Sequence, residues 1–567
     1  MRSASDLGTE SLMRQAQPTF SGDQEAHELS IGEAAQQAGV SPATIRNWIK
    51  TGYLNQKRKG FVGTDAFNQF IKNVAGCEKL NSRANKSFKD SHDHADLSAS
   101  ILKRLSSEHV CLESLGEEYQ RALSDAYKNK EGVYYTPGSI VADLFREPDC
   151  DVSSKRFCDP CCGSGNFIMR ALDLGFKPEN LYGYDTDPVA IAITKQRIFE
   201  RTSYRSRNIV QKDFLHVAAA STDMFFDYVY TNPPWGKTLA KNEKALYGSL
   251  FYASKSLDTS ALFFFACLKC LKKYGQLGLL LPEAFFNIST FEYARARALK
   301  LTIERLIDYG KPFKGLVTKA QAIVLANNER DSNSHQLACE SGGKKFTRAV
   351  NTFYDNPRLI FNFHCDRHDA EVIKHIFSIP HATLKRWATW GLGIVTGNNK
   401  KFCKSKPSDG YMPVYKGSDI QGATLKPASC FIPADLSLYQ QVAPVERFQS
   451  PEKLIYRFIS SNLRFFYDAE QRFVLNSANF LVLSEDFPIS ARQLCDMLNS
   501  SLMNWIFTSI FNTHKVLRGD LEALPIHTDY FTCNPYFDEA SFLDYLNIQV
   551  DKHGAYRVKK NVFNSAK

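Results

Sequence analysis

Four residues that close a short apolar run, Asn232-Pro233-Pro234-Trp235, bring together groups able to handle one planar ring. The Asn232 amide oxygen and the Pro233 carbonyl are two acceptors, and Trp235 adds a flat aromatic face. Consecutive prolines fix φ and keep a helix from starting at once, so a stiff loop follows the strand-like Tyr228-Val229-Tyr230. Two acceptors beside a stacking plate suit a ring that carries an exocyclic NH2 group. An Asn-Pro pair is also an ordinary turn, so the stretch takes its meaning from what precedes it.

Upstream, Arg156-Phe157-Cys158 runs into Asp159-Pro160-Cys161-Cys162-Gly163-Ser164-Gly165-Asn166-Phe167, and a helical pattern continues from Ile168 to Leu174. Strand, glycine-rich turn and helix make a nucleotide-binding βα unit. Gly163 and Gly165 permit the turn and a close approach of backbone to ligand. The turn is neither a Walker loop, which needs Gly-Lys-Ser/Thr, nor a complete Gly-x-Gly-x-x-Gly fingerprint. Asp159 at the strand end would repel a pyrophosphate and suits a cation such as S-adenosylmethionine, with its ammonium and sulfonium groups. A second strand, Leu181 to Tyr184, ends at Asp185, placed to accept from both ribose hydroxyls. A third, Asn208 to Val210, leads to Asp213, an acceptor for an adenine amino group, with Phe214 to pack on the ring. A lone Asp is most often a helix cap or a solvated loop charge; three at successive strand ends point to a shared site. Cys158, Cys161 and Cys162 cluster, but no second Cys/His pair follows at zinc-finger spacing, so no metal is read there.

The elements that hold these groups belong to a chain of 567 residues, long enough for about three domains. Its 44% hydrophobic and 23% charged residues are ordinary for a globular protein, and a net charge of +10 favours a polyanionic partner. The 14 cysteines show no repeating spacing and read as free thiols of a cytoplasmic protein. No signal peptide opens the chain. The most apolar segment, Ala261 to Leu268, is too short to span a bilayer and reads as a buried helix.

In chain order, residues 1–28 form a polar, disordered tail and residues 29–75 a small helical domain. There Ser30 and Glu33 can close a capping box, Gly39-Val40-Ser41 makes a turn, and Pro42 opens a second helix before the basic hairpin Lys57-Arg58-Lys59-Gly60. Residues 76–101 read as a flexible linker. A helical pattern runs from Leu102 to Tyr127, and in Gly132-Val133-Tyr134-Tyr135-Thr136-Pro137 an aromatic pair meets a helix start capped by Thr136.

These motifs, in this order, closely resemble the amino-methyltransferases of DNA, in the γ subgroup that includes the TaqI-like enzymes. The resemblance runs from about Tyr127 to Pro525 and is weakest from Asn327 to Ala349. Gly278 to Pro282 looks like the family's fifth strand, and Asp308 to Phe313 with Ala320 to Leu325 like its late hairpin. Trp390 to Phe402, Val414 to Ile420, Lys453 to Phe458 and Leu498 to Leu502 look like the TaqI-like specificity region, in which Arg457, Arg464, Phe465, Phe466 and Tyr467 read bases or pack a sheet. Residues 29–75 resemble the winged helix-turn-helix of the MerR and excisionase families.

The resemblance implies an α/β architecture: a Rossmann-like catalytic domain over 102–370, a mixed α+β specificity domain over 371–530, and an extension over 531–567. It implies that Tyr135, Thr136, Pro137, Asp159, Pro160, Cys161, Gly163, Gly165, Phe167, Asp185, Asp213 and Phe214 hold S-adenosylmethionine. Cys161 departs from the family's usual Ala or Thr, although a small side chain still fits. Asn232, Pro233, Pro234, Trp235 and Phe313 would serve a flipped-out adenine, stacked on Trp235 with Phe313 against it. Arg46 and Asn47 would face DNA, and Lys57, Arg58 and Lys59 would touch phosphate. The implied protein is a monomeric, cytoplasmic adenine-N6 methyltransferase of double-stranded DNA, the modification enzyme of a restriction-modification system. Residues before Tyr127 are taken by the small domain and linker, so a cognate restriction endonuclease, if there is one, is a separate chain. Methyltransferases of release-factor glutamine or ribosomal RNA share Asn-Pro-Pro-aromatic but lack Tyr-Tyr-Thr-Pro and a long specificity region. Cytosine amino-methyltransferases usually carry Ser-Pro-Pro, and intact motifs argue against a non-catalytic DNA-binding regulator.

Overall fold

The computed structural model describes residues 28–38, 42–50, 54, 56–58, 60–73, 97–105, 112–123, 134–223, 225–313, 316, 318–329 and 335–559. They fall into two units, divided between Ser100 and Ile101.

In the first unit a short strand, β1 (Glu28–Ser30), leads into the helix Ile31–Gln37. Ser30 and Glu33 form the expected capping box, with Glu33 N donating to Ser30 Oγ at 3.2 Å and Ser30 N to Glu33 Oε2 at 2.8 Å. A second helix, Pro42–Lys50, is followed by the hairpin of β2 (Gln56–Arg58) and β3 (Phe61–Gly63), then by the helix Thr64–Asn73. β1 pairs with β3, a third strand that the sequence did not announce. Trp48 anchors the core, 4.9 Å from the Phe70 ring, with Ala34, Ala35, Ile45, Val62 and Phe67 around it. Two helices followed by a hairpin is the expected arrangement. Arg46 is exposed on the second helix, and Lys57 and Arg58 are exposed on β2. Arg58 is bound within the unit: its Nε lies 2.7 Å from Glu28 Oε2, and its guanidinium stands 4.0 Å over the Phe61 ring. The N-terminal tail, the turn at Gly39 to Ser41, the Asn47 side chain, Lys59 and most of the linker lie outside the described residues. The linker expected to reach residue 101 is helical from residue 97.

The second unit is built on nine strands: β4 (Phe157–Asp159), β5 (Leu181–Asp185), β6 (Ile209–Gln211), β7 (Phe226–Thr231), β8 (Leu271–Pro282), β9 (Thr302–Gly310), β10 (Ala320–Ala326), β11 (Gln336–Ser341) and β12 (Lys344–Ala349). Their order is β12-β11-β9-β10-β8-β7-β4-β5-β6. β6, β5, β4, β7 and β8 run parallel, and β10 inserts antiparallel between β8 and β9. The chain steps outward from β4 to β5 and β6, then crosses to the far side of β4 for β7. That reversal opens a crevice at the carboxyl ends of β4 and β7, where open α/β sheets bind ligands. The helix Thr259–Cys270 is apolar on every side and accordingly buried, as expected of Ala261 to Leu268. β11 and β12 arise in the stretch where the resemblance was weakest.

The remainder carries β13 (Ala388–Leu392), β14 (Tyr411–Tyr415), β15 (Cys430–Pro433), β16 (Lys453–Arg457), β17 (Phe465–Asp468), β18 (Phe473–Val474) and β19 (Ala478–Leu483). They form a four-stranded sheet, β13-β19-β16-β17, and a three-stranded one, β15-β14-β18. Phe465 is fully buried 5.3 Å from the Tyr456 ring and so packs the sheet, while Arg457, Arg464, Phe466 and Tyr467 stay partly exposed. Lys453 Nζ and Asp468 Oδ2 pair at 2.5 Å, both side chains 0% exposed. Within the extension expected over 531–567, Phe542, Leu546, Ile548 and Tyr556 share one core with Leu494 and Phe507. No helix among the described residues is long and apolar enough to cross a membrane.

Candidate active site

Asp159 ends β4 and is 1% exposed, with Cys161 N donating to its Oδ1 at 3.1 Å. Burial pushes this carboxyl up to about 7, because loss of water penalises the charged form. The turn that follows needs its glycines. Gly163 has φ +48°, and a Cβ there would lie 2.3 Å from the Tyr135 ring; Gly165 has φ +89°, and a Cβ there would lie 2.9 Å from Thr194. Tyr135 thus lies flush on the turn, and the helix Asn166–Asp173 starts directly after it.

Asp185, at the end of β5, accepts from Gly163 N through Oδ2 and from Asp187 N through Oδ1, both at 2.9 Å. Burial raises this carboxyl to about 6. It ties the glycine turn to the second strand, and each oxygen keeps acceptor capacity for a ligand. Asp187 is committed elsewhere: it caps the helix Pro188–Thr202 through Val189 N at 2.9 Å and accepts from Tyr119 Oη at 2.8 Å. Asp213 caps the helix Phe214–Ala220 through Leu215 N at 2.8 Å and also lines the pocket. Phe214 packs between Tyr184, 5.4 Å away, and Phe263, 6.3 Å away.

Beyond β7, Asn232 Nδ2 donates to the Tyr134 carbonyl at 2.6 Å. Only the NH2 end can face a carbonyl oxygen so closely, which settles the amide's orientation. The other end, Oδ1, is buried without a partner among the described residues. A buried acceptor left unmet is costly and marks a place where a donor belongs.

Two expectations are corrected here. Trp235 does not offer an open face: it is 8% exposed, its Nε1 donates to Leu280 O at 3.3 Å, and its ring meets Phe313 edge-on at 5.5 Å and 81°. An indole at a loop end gains more by joining the aromatic group of Tyr134 and Phe313 (5.5 Å apart) than by standing in water. Thr136 is not the helix cap either. The helix Gly138–Leu144 begins after Pro137, which occupies the cap position, and the Thr136 carbonyl instead accepts from Asn166 Nδ2 at 2.9 Å.

One pocket is lined by Tyr135, Thr136, Asp159, Pro160, Cys161, Gly163, Phe167, Asp185, Asp213, Phe214, Asn232 and Pro234. The remaining expected residues, Pro137, Gly165, Pro233, Trp235 and Phe313, are not among those that line it. The pocket also takes Tyr134, Lys212, Lys237, Leu239, Thr259 and Phe263, which the sequence reading passed over. Lys237, two residues past Trp235, was within reach of that reading, and Thr259 Oγ1 holds its carbonyl at 2.5 Å. Phe263 was not, because it lies in a run that reads only as core.

Residues 112–309 match the family described as N-6 DNA Methylase, and residues 412–526 match the TaqI-like C-terminal specificity domain. The Type II methyltransferase M.VspI of Vibrio sp. (strain 343) is 49% identical over 392 residues, which cover 69% of this chain and 96% of that protein. The chain belongs to the N-6 DNA methylase family. A more distant relative is the methylase subunit of the Type I restriction enzyme MjaIX of Methanocaldococcus jannaschii, 28% identical over 26% of this chain and 27% of its own. Among solved structures, the Type IIL restriction-modification enzyme MmeI in complex with DNA has a TM-score of 0.50 at 12% identity, covering 72% of this chain and 70% of that one. That likeness is one of fold. Both family matches lie in the methylase's second unit, outside the small N-terminal one.

In this methylase the pocket has two ends. Asp159, Asp185, Asp187 and Asp213 and a glycine turn stand at the carboxyl ends of β4 to β6, and a fixed amide oxygen stands after β7. The first end can hold a cation that carries a nucleoside; the second can accept hydrogen bonds from an amino group.

Proposed function

We propose that this adenine-specific DNA methyltransferase binds S-adenosylmethionine at the carboxylate end of its pocket and receives the amino group of a flipped-out adenine at Asn232. The observation that carries the reading is the buried, unpartnered Oδ1 of Asn232, held in place by Tyr134 beside the strand-end carboxylates. The donor set fits the cofactor. Asp159 matches an ammonium group, Asp185 can accept from ribose hydroxyls, and Asp213 keeps an oxygen for an adenine amino group with Phe214 at the ring. When bound, S-adenosylmethionine supplies an electrophilic methyl group on sulfur.

The rest of the chemistry belongs to the chain's own groups. An adenine amino nitrogen is a poor nucleophile because its lone pair is spread into the ring. Hydrogen bonds from its two N–H groups to Asn232 Oδ1 and the Pro233 carbonyl draw that lone pair back onto nitrogen and aim it. The same two acceptors stabilise the positive charge that nitrogen gains as its new bond forms, and its proton then leaves to water. No covalent enzyme intermediate is needed; position and electrostatics carry the rate. The base must leave the duplex to reach the pocket. Tyr134 is the aromatic ring that lines the pocket beside Asn232 and is the one within reach of the base.

In this reading residues 371–530 select the site on double-stranded DNA, and residues 29–75 form a winged helix-turn-helix that reads a second sequence. The enzyme is a cytoplasmic monomer and modifies DNA for a separately encoded endonuclease. The test is Asn232→Ala. Loss of methylation by roughly 100-fold or more, with S-adenosylmethionine affinity kept in calorimetry, is the expected result; equal loss of both would move Asn232 to the cofactor end.

A further inference from the structure

The segment Tyr134 to Pro137 touches both ends of the pocket. Its first carbonyl, Tyr134 O, accepts from Asn232 Nδ2 at 2.6 Å. Two residues on, Thr136 O accepts from Asn166 Nδ2 at 2.9 Å. Asn166 is the first residue of the helix after the glycine turn, and its Oδ1 accepts from Arg197 Nη1 at 3.0 Å. The same Arg197 nitrogen donates to Ser164 O, within that turn, at 2.6 Å. Between the two carbonyls, the Tyr135 ring rests on Gly163, where a Cβ would meet it at 2.3 Å. The far end is pinned: in the helix Gly138–Leu144, Asp143 O accepts from Arg305 Nη1 at 2.8 Å and Asp143 Oδ2 from Tyr309 Oη at 2.9 Å.

We infer that this segment is a strap that transmits the position of the cofactor turn to the catalytic amide, and that Asn166 and Arg197 are positioning residues for methyl transfer. The inference rests on Asn232 being the group that receives the target amino nitrogen. The Asn166 side chain lines the pocket, yet both of its amide ends are taken by protein, one by Thr136 O and the other by Arg197. It therefore acts on the strap and not on a ligand. With its far end held by Arg305 and Tyr309, the strap can follow the turn only over Tyr134 to Thr136. Those are the residues whose carbonyls grip Asn166 and Asn232. A displacement at the turn then reaches Asn232 through four hydrogen bonds, from Ser164 to Arg197, Arg197 to Asn166, Asn166 to Thr136 and Tyr134 to Asn232. Methyl transfer tolerates little of it, since a misplacement of about 1 Å can cost roughly 100-fold in rate.

Asn166→Asp separates this role from a plain cofactor contact. The variant keeps the size and the acceptor for Arg197 but sets an oxygen against Thr136 O, so the strap is pushed off the turn. The expected result is a single-turnover methylation rate lowered by roughly 10- to 100-fold, with the dissociation constant of S-adenosylmethionine in calorimetry changed less than about threefold. Arg197→Leu should show the same split. It carries the test alone if Asn166→Asp does not fold, as judged by thermal melting. The double variant should be no slower than the worse single one, because both act on one link. Rate and affinity falling in step, unchanged rates in both variants, or additive losses in the double variant would each overturn the strap. A wild-type enzyme that methylates no DNA would overturn the proposed function instead, and is read first.

Discussion

Asp159 gives the most quantitative consequence of the site. Unfolded, the Asp159 and Asp185 carboxyls titrate near 3.8; in the ligand-free fold, burial lifts them to about 7 and about 6. Between those values the fold holds protons that the unfolded chain has released. The ligand-free protein therefore loses stability as pH rises from about 4 through 7, and the sign is opposite to that of an ion-paired carboxylate. A bound ammonium group reverses the preference at Asp159, since it favours the ionised form. One pH unit below a value of about 7, roughly ten molecules in eleven carry the proton. Cofactor affinity should thus be about tenfold weaker at pH 6 than at pH 8, a difference near 1.4 kcal/mol, and fall further below pH 6 as Asp185 also takes a proton. Calorimetry at pH 6, 7 and 8 measures the affinity, and repeating it in two buffers of different ionisation enthalpy counts the proton released on binding. More protons should be released at pH 6, where Asp159 is mostly protonated and Asp185 about half so, than at pH 8. Asp159→Asn should bind weakly at every pH and lose the dependence. Affinity independent of pH in the wild type, or a dependence that survives Asp159→Asn, would refute the assignment of Asp159 to the cation.

Three further outcomes follow from the same geometry. Gly163→Ala should weaken cofactor binding by roughly 10- to 100-fold with little change in fold content by circular dichroism, because its φ of +48° disfavours any side chain and the turn itself must rearrange, whereas the Tyr135 ring can move away with the strap; retained affinity would show that the turn tolerates a side chain there. Lys453→Met should destabilise the enzyme by roughly 1–3 kcal/mol in denaturant unfolding, since it removes one of the two cations paired with the buried Asp468 carboxylate; an unchanged stability would mean that Arg472, 2.7 Å from Asp468, suffices alone. Deleting residues 1–100 should leave methylation kinetics at the modification site unchanged while binding to a second, unrelated DNA sequence is lost; sharply slower methylation, with no second sequence bound by the intact chain, would instead make the N-terminal unit part of the enzyme's own DNA grip.

What could be read in the sequence were features that local chemistry imposes. Asp159, Asp185 and Asp213 each follow a β-run, and a parallel sheet brings such strand ends together whatever lies between them. Gly163 and Gly165 announced a turn with left-handed residues, and the Ser30–Glu33 box announced a helix start. Contacts made by backbone carbonyls left no mark. Tyr134 O could have been supplied by any residue, so its hold on Asn232, 98 positions away, has no side-chain signature. Phe263 was hidden for a related reason: in a helix buried on all sides, the face toward the pocket looks like the face toward the core. The setting of Trp235 was misread because residue type sets what a ring can do and packing decides whether it is open. Thr-Pro is a frequent helix entry and so points to Thr136 as a cap, whereas its role here is played by its carbonyl.

The central claim is that this pocket methylates adenine at one DNA sequence. Single-molecule sequencing of genomic DNA from cells that express the chain, beside cells that express Asn232→Ala, tests it most directly. The account predicts N6-methyladenine at one fixed position of one recurring sequence, present with the wild type and absent with the variant. Methylated cytosine, adenine methylation without a common sequence, or the same pattern in both cultures would contradict it.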